Sequence, residues 1–179
     1  MSTTLSLVSE LEQLAGALQA DDGDVTQLSL PSIAEKIARI MDVRKDEVAI
    51  LAVSRQWKHL HFLVPESLKK VGYVPLSSNS ALAAKTVRDS RPEIDNNFTS
   101  ARHAVVFEGV KIDGESRESI QKIISAPILL NGAVIGVIQV SRKGGSQLSS
   151  GPDFAADDLG KLLALCKPLA KLVQRFAGK

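Results

Sequence analysis

Two apolar runs, Ile123 to Leu130 and Ala133 to Val140, are joined by Asn131-Gly132, and this junction constrains the fold more than any other stretch of the chain. Asn-Gly between β-rich runs selects a two-residue type I′ turn, because both central residues must adopt positive φ. Both runs are largely apolar on both faces, so the hairpin belongs in the middle of a sheet covered on each side. One long helix is then expected from Phe154 to about Phe176. Within it Leu162, Cys166, Leu169, Val173 and Phe176 recur at spacings of four, three, four and three, a heptad-like seam. Pro168 lies inside this helix and removes one amide donor, so a bend is expected there.

Upstream, Leu7, Leu11, Leu14 and Leu18 form one stripe of an amphipathic helix. Ala20 to Asp24 ends it with turn formers and begins an acidic linker. A second helix is expected near Ser32, where Ser32 and Glu35 have capping-box spacing and Ile33, Ile37 and Ile40 line one face. Strands are expected at Glu47 to Val53 and Trp57 to Val64, with Ser54-Arg55-Gln56 as the turn between them. Pro65 to Asn79 reads as a loop, and Ser80 to Ser90 as a helix that must stop before Pro92. A short strand or turn follows at Glu93 to Asn97, then a short strand at Ala104 to Phe107 and a charged loop at 109–118. Domain organisation follows: 1–24 as an N-terminal helix and linker, and 25–179 as one domain with its C-terminal helix.

Composition mostly excludes. A chain of 179 residues with 44% hydrophobic and 23% charged residues suits one ordinary globular core. A formal charge of +2 gives no bulk argument for nucleic acid or an anionic membrane. One Trp, one Tyr and five Phe are few for stacking on single strands. There is no basic and apolar leader, no apolar run of spanning length, and no second cysteine for an intrachain disulfide. These readings predict a cytoplasmic protein with no membrane and no nucleic-acid partner.

The order of elements resembles a GAF domain, a small-molecule sensor module related in fold to PAS domains. Three stretches carry the resemblance: ALAAKTVRDSRPEIDNNF, PILLNGAVIGVIQVSRKGG and PDFAADDLGKLLALCKPLAKLV. GAF domains show a helix running into a Pro-led strand ending in Asp, here Pro92 to Asp95. They also show a buried central hairpin, here Ala126 to Val140, and Phe-x-x-x-Asp at the last helix, here Phe154 and Asp158. Gly136 fits a strand position where backbone or ligand approaches closely. The resemblance covers about Ser32 to Phe176. It implies an α+β fold, an α/β sandwich with a mixed, mainly antiparallel sheet of about six strands. The N- and C-terminal helices would pack on one face, and loops with a short helix would enclose a pocket on the other.

Candidate sites follow from that frame. Asn96, Asn97, Arg102 and His103 offer donors to a polar or anionic ligand beside the implied pocket. Phe98, Val106, Phe107, Ile124, Ile128 and Ile135 would form its apolar walls. The stripes Leu7, Leu11, Leu14 and Leu18, and Leu162, Leu169, Val173 and Phe176, would form the interface of a homodimer, as terminal helices of such domains often do. His59 and His61 alternate on one strand face, but no third ligand follows at a supporting spacing, so no metal is expected. Cys166 on an apolar seam reads as a small buried hydrophobe. No nucleophile, base and orienter can be assembled, so neither enzymatic activity nor a cofactor is expected. The resulting expectation is a stand-alone regulatory domain that binds a small molecule and signals through its helices to a partner such as a kinase. The competing expectation is a ligand-free dimerisation scaffold. Few polar residues between Ile123 and Val140 favour the scaffold; the donors from Asn96 to His103 favour the sensor.

Overall fold

Asn131 and Gly132 take φ of 53° and 81°, the two positive values that a type I′ turn demands. They join β5 (Ser119–Leu130) to β6 (Ala133–Gly144), which pair antiparallel from Leu130↔Ala133 out to Ser119↔Gly144. The protein is described here from a computed structural model, which covers residues 3–19, 30–69, 73–98 and 119–177. The hairpin outruns its apolar core at both open ends, because the polar residues there are themselves paired and buried. Gln121 donates to the Gly144 carbonyl at 2.9 Å, and the Ser141 hydroxyl donates to the Glu47 carbonyl at 3.3 Å.

Four more strands complete one sheet: β1 (Val48–Ser54), β2 (His59–Val64), β3 (Tyr73–Pro75) and β4 (Glu93–Asp95). Their order is β3-β2-β1-β6-β5-β4, which puts β6 and β1 at the centre. Every pairing among the described residues is antiparallel, so the sheet there is not mixed. Gly136 on β6 lies opposite Ala52, and a Cβ built on it would stand 2.6 Å from the Leu51 carbonyl oxygen and 3.1 Å from a Val173 methyl. It is therefore backbone, with one helix side chain above it, that approaches this glycine.

Among the described residues four helices flank the sheet: α1 (Thr3–Gln19), α2 (Leu30–Met41), α3 (Leu82–Asp89) and α4 (Ala156–Ala177). Strand alternation sorts the core into two layers. Val48, Ile50, Ala52, Ile124, Ala126, Ile128, Ile138 and Val140 face α1, α2 and α4, whereas Ala49, Leu51, Ile123 and Val137 face the α3 side. Leu7, Leu11, Leu162, Leu169 and Val173 are all buried in the first layer, with α1 packed on α4. The described members of the two stripes expected to meet a second chain thus meet within one chain. Burial of each such side chain is worth about 1.5–3 kcal/mol, and a residue already buried offers no surface to a copy. Side chains of Leu14, Leu18 and Phe176 lie outside the described residues. A Lys36–Glu10 ion pair also ties α2 to α1.

Several boundaries differ from the sequence reading. Ser32 lies inside α2 rather than at its cap, because the helix already runs at Leu30 and carries Pro31 in its first described turn, where the missing amide is harmless. Trp57 and Lys58 belong to the β1–β2 turn, since Lys58 has φ of 54°, outside strand geometry. The loop expected from Pro65 to Asn79 contains a short helical turn at Glu66–Leu68 and the edge strand β3. Three residues are too few to show a period. α4 runs on through Pro168. The strand expected at Ala104 to Phe107 lies outside the described residues.

Candidate functional site

The Pro-led strand β4 ends at Asp95, whose carboxylate accepts from the Asn97 amide at 2.9 Å and turns the chain. Asn96 then reaches the segment before α4. Its Nδ2 donates to the Phe154 carbonyl at 3.0 Å, and its Oδ1 accepts from the Phe154 amide at 2.8 Å. Both ends of this amide are therefore engaged by main chain. The Asn97 side chain accepts from Gln147. Phe98 is buried in the α3-side layer at 1% exposure. Arg102, His103, Val106 and Phe107 lie outside the described residues.

The described members of the expected apolar walls lie on both faces of the sheet. Ile124 and Ile128 are buried on the helix side of the sheet, and Ile135 packs against that same layer. Phe98 is on the other side. The cause is parity: along β5, Ile123 and Ile124 must point to opposite faces, so Phe98 and Ile124 cannot wall one cavity. What the α3 side does contain is a buried polar chain that the apolar reading of the hairpin passes over. The Thr86 hydroxyl bonds the Leu82 carbonyl at 2.9 Å and the Ser125 hydroxyl at 2.7 Å, and Gln139 Nε2 donates to Ser125 at 3.2 Å. Ser125 and Gln139 are cross-strand partners. Their like parity in two apolar strands was the available signal.

Buried charge is concentrated at the opposite end of the central strands, where it serves architecture. The Glu47 carboxylate accepts from the amides of Arg44 and Lys143 at 2.8 and 2.5 Å. Lys122 donates to the Gly151 carbonyl at 2.6 Å and pairs with Asp153 at 2.8 Å. Arg142 donates to the Asp42 carbonyl at 2.8 Å and sits 4.7 Å from the centre of the Phe154 ring, a cation–π geometry. Together these groups fasten the end of α2 and the segment before α4 to β5 and β6. Burial pushes the Cys166 thiol up to about 12, so it is not a thiolate near neutral pH.

His59, His61 and Tyr73 lie together on the outer strands. The His59 ring stacks on Tyr73 at 4.1 Å and meets His61 edge-on at 6.1 Å. They line an open groove of about 1010 Å³ together with Arg55, Trp57 and Lys69. Among the described residues no three His, Cys, Asp or Glu side chains gather as metal ligands. Nor is any described helix long and apolar enough to cross a membrane.

No family model matches the sequence, and no curated protein matches it. Solved structures do resemble it. The GAF domain of an Acinetobacter phosphoenolpyruvate-protein phosphotransferase superposes with a TM-score of 0.67 at 15% identity, over 98% of this chain and 95% of that one. The GAF domain of the Coxiella burnetii phosphoenolpyruvate-protein phosphotransferase gives 0.62 at 12% identity, over 98% and 96%. A type II free methionine-R-sulfoxide reductase from Thermoplasma acidophilum gives 0.51 at 14% identity, over 98% and 97%. Identities this low speak for fold alone. The six-stranded antiparallel sheet, with α1, α2 and α4 on one face and α3 on the other, is a GAF-like fold.

Proposed function

We propose that this chain is a regulatory domain of the GAF type that binds a small molecule on the α3 side of its sheet. The observation that carries the reading is the inequality of the two faces. Three helices close one face, whereas among the described residues a single helix of eight residues, α3, stands over the other. Phe98 would supply the wall there, and Arg102, His103, Val106 and Phe107 follow it in the chain. Binding beneath α3 would act on the Thr86–Ser125–Gln139 chain and so on the central hairpin, whose far face carries α4. A ligand shifts such an equilibrium only through its differential affinity for two arrangements. The shift would leave through α1 and α4 to a signalling partner such as a kinase, in a cytoplasmic homodimer whose contacts use outward-facing residues such as Leu163.

Catalysis has the weaker case. The sulfoxide reductase among the similar structures leaves an enzymatic role open for the fold, but the sole cysteine of this chain is buried and un-ionised.

Native mass spectrometry of protein purified without denaturation tests the reading. A retained small-molecule adduct, lost on Phe98→Ala with the fold intact by circular dichroism, is expected. A clean apo mass, together with no melting-temperature shift across a metabolite panel, would instead support the ligand-free scaffold.

A further inference from the structure

The only Trp and the only Tyr of the chain, and two of its three His, line the one groove at the β2–β3 edge. Apolar burial explains neither aromatic: Trp57 is 68% exposed and Tyr73 63%. The groove opens at the sheet edge, where Phe62 and Val53 of the α3-side layer join its lining, but its histidines and Tyr73 lie on the face away from α3. His61 is paired with Ala52 and Tyr73 with His61, on the face of the helix-side layer, whereas Leu60, Phe62 and Val74 point to the α3-side layer. Among the described residues its charged lining is basic. Arg55 and Lys69 line it, Lys58 sits in the same turn, and no carboxylate lines it among the described residues. None of the described residues forms an ion pair with Arg55.

We propose that this groove is a second binding site, for a planar aromatic anion: a ring bearing a phosphate or carboxylate. His59 covers one face of Tyr73 at 4.1 Å and an interplanar angle of 22°, giving a ready two-ring stack on which a third ring extends the column. Trp57 in the adjacent turn offers a further face. Arg55 presents a planar fork of donors suited to a phosphate or carboxylate, and the His61 ring N–H adds a neutral donor within the groove. A metal would need more ligands than the two imidazoles here. An apolar protein segment would not use the cations, and an acidic peptide would not use the stacked rings. The inference stands apart from the α3-side reading, and either can fail without the other.

Trp57 is the built-in reporter, since tryptophan emission comes from this groove alone. The test titrates AMP, UMP and phenyl phosphate into the full chain. Adenosine, ribose 5-phosphate and inorganic phosphate serve as the ring-only and charge-only halves, with a short oligoadenylate alongside. Saturable quenching is expected with the complete ring-plus-anion probes, and binding about tenfold or more weaker with either half. Arg55→Ala should weaken AMP about tenfold or more, as removal of one charge-assisted hydrogen bond does. Tyr73→Ala should do likewise through lost stacking, while Lys167→Ala on the exposed side of α4 leaves the affinity unchanged. Both groove positions are exposed, so their variants should keep the wild-type circular dichroism. Linear, non-saturating quenching by every probe would overturn the proposal. So would AMP binding that Arg55→Ala and Tyr73→Ala leave untouched, which places the ligand elsewhere. Oligoadenylate binding far tighter than AMP, with a steep salt dependence, would overturn the small-ligand assignment in favour of a nucleic-acid strand.

Discussion

Asn96 shows how a residue chosen for its chemistry can serve the architecture instead. Its amide grips both the N–H and the C=O of Phe154, fifty-eight residues along the chain. Asn96→Ala leaves two main-chain groups without that partner and should lower stability by about 1–3 kcal/mol. The change should appear as a lower urea midpoint with an unchanged m-value. His61 carries a pH dependence. Desolvation first, and the neighbouring charge of His59 second, hold its imidazole below the ordinary value. As pH falls, the unfolded chain therefore takes up this proton before the folded one does, and stability is lost from near the ordinary pKa of about 6.5 downward, until the lowered folded value is passed. His61→Gln should flatten the fall in melting temperature between about pH 7 and about pH 5. The histidine pair was visible in the sequence as an i, i+2 spacing; its stacking on Tyr73 was not, because β3 comes from a segment with no readable period.

At the scale of elements, the hairpin and the last helix were the most legible parts. Asn131-Gly132 selects its turn by sterics acting on two adjacent residues, so nothing distant was needed. The seam on α4 was equally plain, but its partner was not. A heptad-like row states that a helix has an apolar face and leaves open whether a second chain, α1 or a sheet covers it. Here the covering groups are α1 and the sheet, and Leu169 has 0% exposure. Leu169→Asp should therefore do more than separate subunits. A carboxylate forced into that layer, on top of the lost Leu packing, should cost at least about 3 kcal/mol. The expected outcome is loss of cooperative thermal unfolding; a folded protein of halved mass in sedimentation would restore the seam between copies.

The whole molecule depends on α1 more than its place at the start of the chain suggests. Leu7 and Leu11 are 4% and 0% exposed within the helix-side core, and α1 packs along α4. Removing residues 1–29 should uncover the α1-facing side of α4, lower the melting temperature by on the order of 2–4 °C per kcal/mol lost in a domain of this size, and raise binding of an apolar dye. A truncated chain as stable as the full one, with no new dye binding, would show that α1 is an appendage. What the sequence by itself determined was local: the I′ turn, the alternation along β5 and β6, the apolar stripe of each helix, the buried thiol of Cys166. These follow from sterics and periodicity within about twenty residues. Only the tertiary structure decided which stripe meets which surface, that Ile124 and Phe98 stand on opposite faces, that Asn96 is spent on Phe154, and that Trp57, Tyr73 and the histidine pair share one groove. Each of these joins residues distant in sequence or turns on which face of the sheet a given parity is pointed toward, and periodicity states that two faces exist without saying what lies against either.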